Sequence, residues 1–231
     1  MMGKVISNFD KYNREARIYP TVLGALPLYI FGVLLAQSLP NFNFYLKLAL
    51  GFLIPSVVVY VLSDIVRNLG KNLESKIFNN ETIFPTTELL LHSNTSLSKE
   101  KKDKIYKKID NDFSITLSNK SEEDNDIQNS RKKIKEAVGQ IRQALGNERL
   151  LLQYNIRYGF WRNLCAISPF SLFLCLLVAF IVLLTFSNLV YVAILVAISP
   201  LYLILWIFNK QILVHFGYQY AEQFYLEFLA K

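Results

Sequence analysis

Residues 169–208, PFSLFLCLLVAFIVLLTFSNLVYVAILVAISPLYLILWIF, contain no charged side chain and are interrupted near their middle by the pair Ser187-Asn188. A helix rises about 1.5 Å per residue, so about 20 apolar residues cross the roughly 30 Å hydrocarbon core of a bilayer. This stretch holds two such lengths back to back, 169–187 and 189–208. Two residues between them leave no room for a crossover, and the pair is expected to form an antiparallel hairpin.

The same composition recurs upstream. Residues 21–39 and 46–66 are long apolar runs joined by a short link from Pro40 to Tyr45, which implies a second hairpin. The chain is 52% hydrophobic, and this content is gathered into a few runs instead of being spread at helix or strand spacing. That pattern points to a bilayer, not to the core of a soluble domain. The expected fold class is therefore all-α and integral to a membrane: four transmembrane helices as two hairpins, with a helical cytoplasmic domain between them.

Orientation follows from Lys and Arg. Lys4, Lys11, Arg14 and Arg17 precede the first run; Arg67, Lys71 and Lys76 follow the second; Arg149, Arg157 and Arg162 precede the third; Lys210 follows the fourth. At the short outer links the one basic residue nearby is Lys47, at the start of the second run. Basic residues are retained on the cytoplasmic side, which places both termini and the centre there, in a multi-pass protein. The first apolar run starts after about twenty polar and aromatic residues and lacks a small-residue cleavage site, so it is expected to persist in the mature chain. The formal charge of +7 fits either a nucleic-acid partner or a membrane protein with a basic cytoplasmic face, and does not separate them.

Pro27, Pro55 and Pro200 fall inside spans, where each is expected to mark a kink. Asp64 is the one acidic residue within a span. It lies near the cytoplasmic end, placed either to pair with Arg14, Arg17 or Arg67 or to take part in a pore. Without charge at mid-membrane, an ion-coupled transporter is disfavoured. An oligomer could still line a pore with Ser56, Tyr60 and Gln37, so Ser56, Tyr60 and Asp64 are the pore or gating candidates.

From Arg67 to Arg162 the chain carries 18 Lys and Arg against 13 Asp and Glu. The second span is expected to continue into this segment through Ile65, Leu69, Leu73 and Ile77, with a turn at Asn79-Asn80. Phe84-Pro85-Thr86-Thr87-Glu88 starts a short helix, and Ser98 caps a basic one reaching about Asp110, with Ile105 and Ile109 as its thin apolar face. The stretch from Glu122 to Asp126 reads as a loop. A long helix is expected over 129–154, its stripe formed by Ile134, Val138, Ile141, Leu145 and Leu151-Leu152. Lys101, Lys104, Lys107 and Lys108 on one helix, with Arg131, Lys132 and Lys135 on the other, are the candidate anion site. They are otherwise a solvated or headgroup-facing surface, and aromatic interleaving is limited to Tyr106.

The N-terminal flank, with Phe9, Tyr12 and Tyr19 among Lys11, Arg14 and Arg17, suits an amphipathic helix at the membrane interface. The C-terminal flank does likewise, with Ile212, Phe216, Tyr220, Phe224 and Phe228 at four-residue spacing. Cys165 and Cys175 sit in apolar sequence and read as packing residues. His92 and His215 lack a metal-ligand companion, Ser96-Leu97-Ser98-Lys99 lacks the partner motifs of a Ser-x-x-Lys hydrolase, and no phosphate-cradling glycine loop is present. No catalytic site, metal or cofactor is expected.

Three stretches together resemble a widespread family of small bacterial membrane proteins: the run from Phe9 to Arg17 (FDKYNREAR), Phe84-Pro85-Thr86-Thr87, and the run from Asn155 to Leu164 (NIRYGFWRNL). The plan is similar to membrane effectors of antiphage defence, such as the channel component of Hailong systems or four-span effectors of cyclic-oligonucleotide signalling. Tyr158 to Asn163 otherwise reads as a turn leading into the third span. The four nearly uncharged spans, the basic cytoplasmic domain and the absence of catalytic motifs lead to the expectation of a homo-oligomeric effector or ion channel gated through its cytoplasmic domain by a nucleotide or nucleic acid, and the resemblance adds the bacterial inner membrane and antiphage defence as its setting. Its partners would be the bilayer, copies of itself and a cytoplasmic defence partner; the alternative is a non-conducting scaffold. The expected organisation is an interfacial segment 1–20, hairpin 21–66, cytoplasmic domain 67–164, hairpin 165–208 and an amphipathic C-terminal helix 209–231.

Overall fold

The computed structural model describes residues 11–39, 43–80, 82–146 and 149–231, apart from the side chain of Arg149. Lys4, Phe9, Asp10 and Pro40 lie outside the described residues. Among those described there are ten helices and no strand: α1 (Lys11–Gly24), α2 (Leu26–Ser38), α3 (Phe44–Ile77), α4 (Pro85–Glu88), α5 (Lys99–Phe113), α6 (Lys120–Asn125), α7 (Ile127–Leu145), α8 (Arg149–Phe186), α9 (Leu189–Ile207) and α10 (Asn209–Ala230). Three of them, α3, α8 from Leu150, and α9, are long and apolar enough to cross a membrane; the bent pair α1 and α2 makes a fourth if it counts as one span.

The chain divides into two compact units. One, the apolar unit, comprises residues 9–73 and 159–212; the other, the polar unit, comprises 1–8, 74–158 and 213–231. The division falls inside α3, α8 and α10. It differs from the expected cytoplasmic domain 67–164 chiefly in taking up the C-terminal segment.

In the apolar unit α1 and α2 meet at 54°. Pro27, in the first turn of α2, has no N–H to donate, and the helix breaks at Ala25. Within α1, Arg14–Ile18 is a π-helix, and the Ala16 carbonyl in it accepts from Asn163 Nδ2 at 2.6 Å. A second π-helix, Ala49–Leu53, directly precedes Pro55 in α3. The proline ring conflicts with the carbonyl four residues back, and one wide turn relieves that conflict. Pro200 lies inside α9 without a break. Gly32 lets α2 approach α3: a Cβ there would lie 2.8 Å from the Leu50 carbonyl oxygen.

Ser187 takes a left-handed φ of 47° and the Asn188 side chain caps α9, so the two-residue turn read from the sequence joins α8 to α9. Leu34, Cys175, Val178, Ala179, Val182, Leu195 and Tyr202 form the core shared by α2, α8 and α9. Tyr202 donates to the Leu23 carbonyl at 2.5 Å and Tyr191 to Gln37 Oε1 at 2.8 Å. Both cysteines are buried free thiols.

The polar unit follows its capping signals. Asn79 and Asn80 take positive φ at the expected turn. Pro85 opens α4 at its first position, and the Ser98 hydroxyl accepts from Lys101 N at the start of α5. Three expectations differ from the structure. The stretch 122–126 is largely helical, in α6, because Asn119 and Glu122 form a reciprocal capping box. The long helix expected over 129–154 ends at Leu145, where Gly146 takes φ 61°, a conformation that a side chain disfavours. Tyr158 to Asn163 is no turn, since α8 runs through it.

The C-terminal helix differs most. Leu213, Tyr220, Phe224, Tyr225 and Phe228 are buried, and Tyr225 donates its hydroxyl to the Thr86 carbonyl. The face in use includes Gly217 and Ala221, small residues that a search for large apolar spacing overlooks. Phe84 gathers Phe78, Tyr158 and Tyr220 around it, with ring centroids at 5.1, 5.7 and 6.4 Å. One face of this segment is therefore part of a protein core.

Candidate functional site

The segment between α4 and α5 is irregular and buried at Leu89, Leu90 and Leu91, so its peptide groups need partners from elsewhere. Side chains supply them. Lys102 Nζ donates to the carbonyls of Leu91 and Asn94. The Tyr106 hydroxyl donates to the Leu90 carbonyl at 2.5 Å. Glu123 accepts from the backbone N–H groups of His92 and Ser93 at 2.7 and 2.9 Å. His92 Nε2 meets the Ser118 carbonyl at 3.0 Å, a tertiary role that needs no metal.

Burial lowers the Lys102 ammonium pKa, and Glu123 partly opposes the shift. Burial also pushes the Glu123 carboxyl up, but its hydrogen bonds from His92 and Ser93 outweigh that and leave it below the usual carboxylate range. Burial raises the Tyr106 hydroxyl. Neither Lys102 nor Glu123 was singled out by the sequence. The signal available was a lysine on the same helical face as Ile105 and Ile109.

The seven candidate anion ligands lie on two helices, spread over a flank and the outer surface of each. On α5 the buried face of Lys102, Ile105 and Ile109 puts Lys101, Lys104 and Lys108 along one flank and turns Lys107 outward. On α7 the buried face of Ile134, Ala137, Val138 and Ile141 puts Arg131 and Lys135 on one flank and Lys132 on the outer surface. Two of the seven have acidic partners of their own. Arg131 makes a two-pronged contact with Glu88, at 2.8 and 3.2 Å. Lys108 lies 3.6 Å from Asp112, with its ammonium 5.4 Å from the centre of the Phe228 ring. Lys104, Lys107, Lys132 and Lys135 are exposed and make a diffuse positive surface, suited to salt-dependent contact with phosphate but not to enclosing a ligand.

The pore candidates, by contrast, share a face. Ser56, Tyr60 and Asp64 stand four residues apart on α3, and all three are exposed. Beside them, about 100° round the helix, runs a buried stripe of Pro55, Val59, Ser63, Val66 and Gly70. Ser56 Oγ and the Tyr29 hydroxyl are 3.2 Å apart. The Asp64 side chain is 77% exposed and lies 3.7 Å from Arg17, one of its three expected partners.

Two of the stretches that carry the family resemblance meet inside the apolar unit. Gly159 of α8 lies under Ala16 and Tyr12 of α1, with 3.1 Å between each and the position of an added Cβ, and Asn163 holds the Ala16 carbonyl. Among the described residues no group of three or more His, Cys, Asp or Glu could hold a metal ion. No protein-family model, curated protein or solved structure matches the chain.

Proposed function

We propose that this chain is a multi-pass membrane protein of the bacterial inner membrane whose spans associate with copies of themselves into an ion-conducting or membrane-disrupting assembly. The carrying observation is the exposed column Ser56, Tyr60 and Asp64 on α3, which puts two hydroxyls and, near the cytoplasmic end, a carboxylate on one face of a mostly apolar span. Such a face favours another polar surface or water over lipid. Copies placed around a common axis would supply both. The four-span arrangement with cytoplasmic termini belongs to this reading and rests on the distribution of Lys and Arg. So does control from the polar unit by a nucleotide or nucleic acid, in the manner of the antiphage effectors that the sequence resembles.

A second reading, a non-conducting scaffold that recruits a cytoplasmic partner, draws on a specific observation. Arg131 and Lys108 are neutralised by Glu88 and Asp112, so the basic clusters are partly structural. Ion flux through liposomes carrying the purified chain, with and without short oligonucleotides and cyclic nucleotides, separates the two. Ligand-dependent flux that changes with Asp64→Asn supports the channel. Absence of flux from an oligomer under every condition overturns it in favour of the scaffold.

A further inference from the structure

At one end of the apolar unit, α1 and α3 bring two arginines near each other with little to balance them. Among the described residues Arg17 Nε is buried and has no hydrogen-bond acceptor. Its guanidinium lies 5.8 Å from the centre of the Tyr12 ring, and the carboxylate of Asp64 is 3.7 Å away and itself largely in the open. Arg67 stands one turn beyond Asp64 on α3, so the helix that brings Asp64 to Arg17 carries a second cation beside it. Arg162 has its own contact, its Nε donating to Asn163 Oδ1 at 3.4 Å, so it contributes field more than ligation. The glutamate nearest in sequence, Glu15, is engaged with Arg14 at 3.6 Å.

A buried guanidinium donor without an acceptor costs about 1–3 kcal/mol or more, and evolution seldom leaves one beside a second cation unless an anion completes the group. The planar fork of Arg matches the oxygens of phosphate, and the partial burial here strengthens such a contact. These residues flank the apolar stretches of α1 and α3, the depth at which lipid phosphates lie.

We infer that Arg17 and Arg67 bind a phosphate group, either a lipid headgroup or free phosphate. The site is separate from the basic helices α5 and α7 and does not depend on whether the protein conducts ions.

The test uses the full chain purified in a neutral detergent. One arm measures its melting temperature against inorganic phosphate; the other measures by native mass spectrometry how much phosphatidylglycerol or phosphatidylcholine stays bound. Stabilisation by phosphate alone identifies a free anion as ligand. Selective retention of phosphatidylglycerol identifies a lipid, and both together identify a phosphate site open to either. In each supporting case Arg67→Gln, which changes a half-exposed side chain, weakens binding by about tenfold, the loss expected of one charge-assisted contact. Arg14→Gln leaves binding unchanged. A wild-type chain indifferent to phosphate and to headgroup, or an Arg67→Gln chain that binds as well as the wild type, overturns the site.

Discussion

Phe224 and Phe180 are the same side chain under opposite rules. Phe224 is fully buried in the polar unit, whereas Phe180 on α8 is 59% exposed in the apolar unit. The polar unit turns its apolar residues inward because water is its solvent. The apolar unit displays Phe170, Phe173, Phe180 and Leu184 because hydrocarbon is as good an environment for them as a protein core. Burial therefore does little to hold its helices together in a bilayer. What holds them is close approach, as at Gly32 against Leu50, and directed hydrogen bonds such as Tyr202 to Leu23 and Asn163 to Ala16.

The contrast breaks if one variant pair fails. Phe224→Ala is expected to cost about 3–5 kcal/mol, the usual range for an aromatic deleted from a packed core, and Phe180→Ala close to nothing. Thermal unfolding of the full chain in detergent compares them, and equal losses would show that the two units do not differ in this way. Glu123→Ala strands two N–H groups in the polar unit and should cost about 2–3 kcal/mol in the same assay.

Its pH dependence is specific. The folded carboxyl loses its proton more readily than the unfolded one, so ionisation favours the fold. That stability is whole above the unfolded pKa of 4.5 and fades as pH falls through the lower folded value. Unfolding curves of wild type and Glu123→Ala should therefore converge in acid.

Gly32→Ala forces the Leu50 carbonyl to move and should cost about 1–3 kcal/mol, showing that contact distance stabilises the apolar unit. Asp64→Asn removes an exposed pair worth about 0–1 kcal/mol and should leave melting nearly unchanged. Its effect should appear in ion flux, as a loss of cation preference.

Periodic and local features were legible in the sequence. The apolar runs, the Ser187-Asn188 turn, the Ser98 cap and the kink near Pro27 each depend on neighbouring residues. Features that depend on tertiary partners were not. Glu123 sits in a charged string that reads as solvated, and only the distant peptide groups of His92 and Ser93 give it a role. Lys102 was one lysine in a run of them until its ammonium met the carbonyls of Leu91 and Asn94. The basic clusters were visible as composition, but the helical faces that disperse them emerge only when the buried side is known.

Because α10 supplies Phe224, Tyr225 and Phe228 to the core that Leu89–Leu91 and Ile105 also build, the polar unit is assembled from segments made before and after α9. On the ribosome its earlier helices must wait, incomplete and exposing Leu89 to Leu91, while the intervening apolar helices are synthesised. The order of manufacture thus ties completion of one half to prior production of the other. A protein stalled between α9 and α10 would offer quality-control proteases an open core.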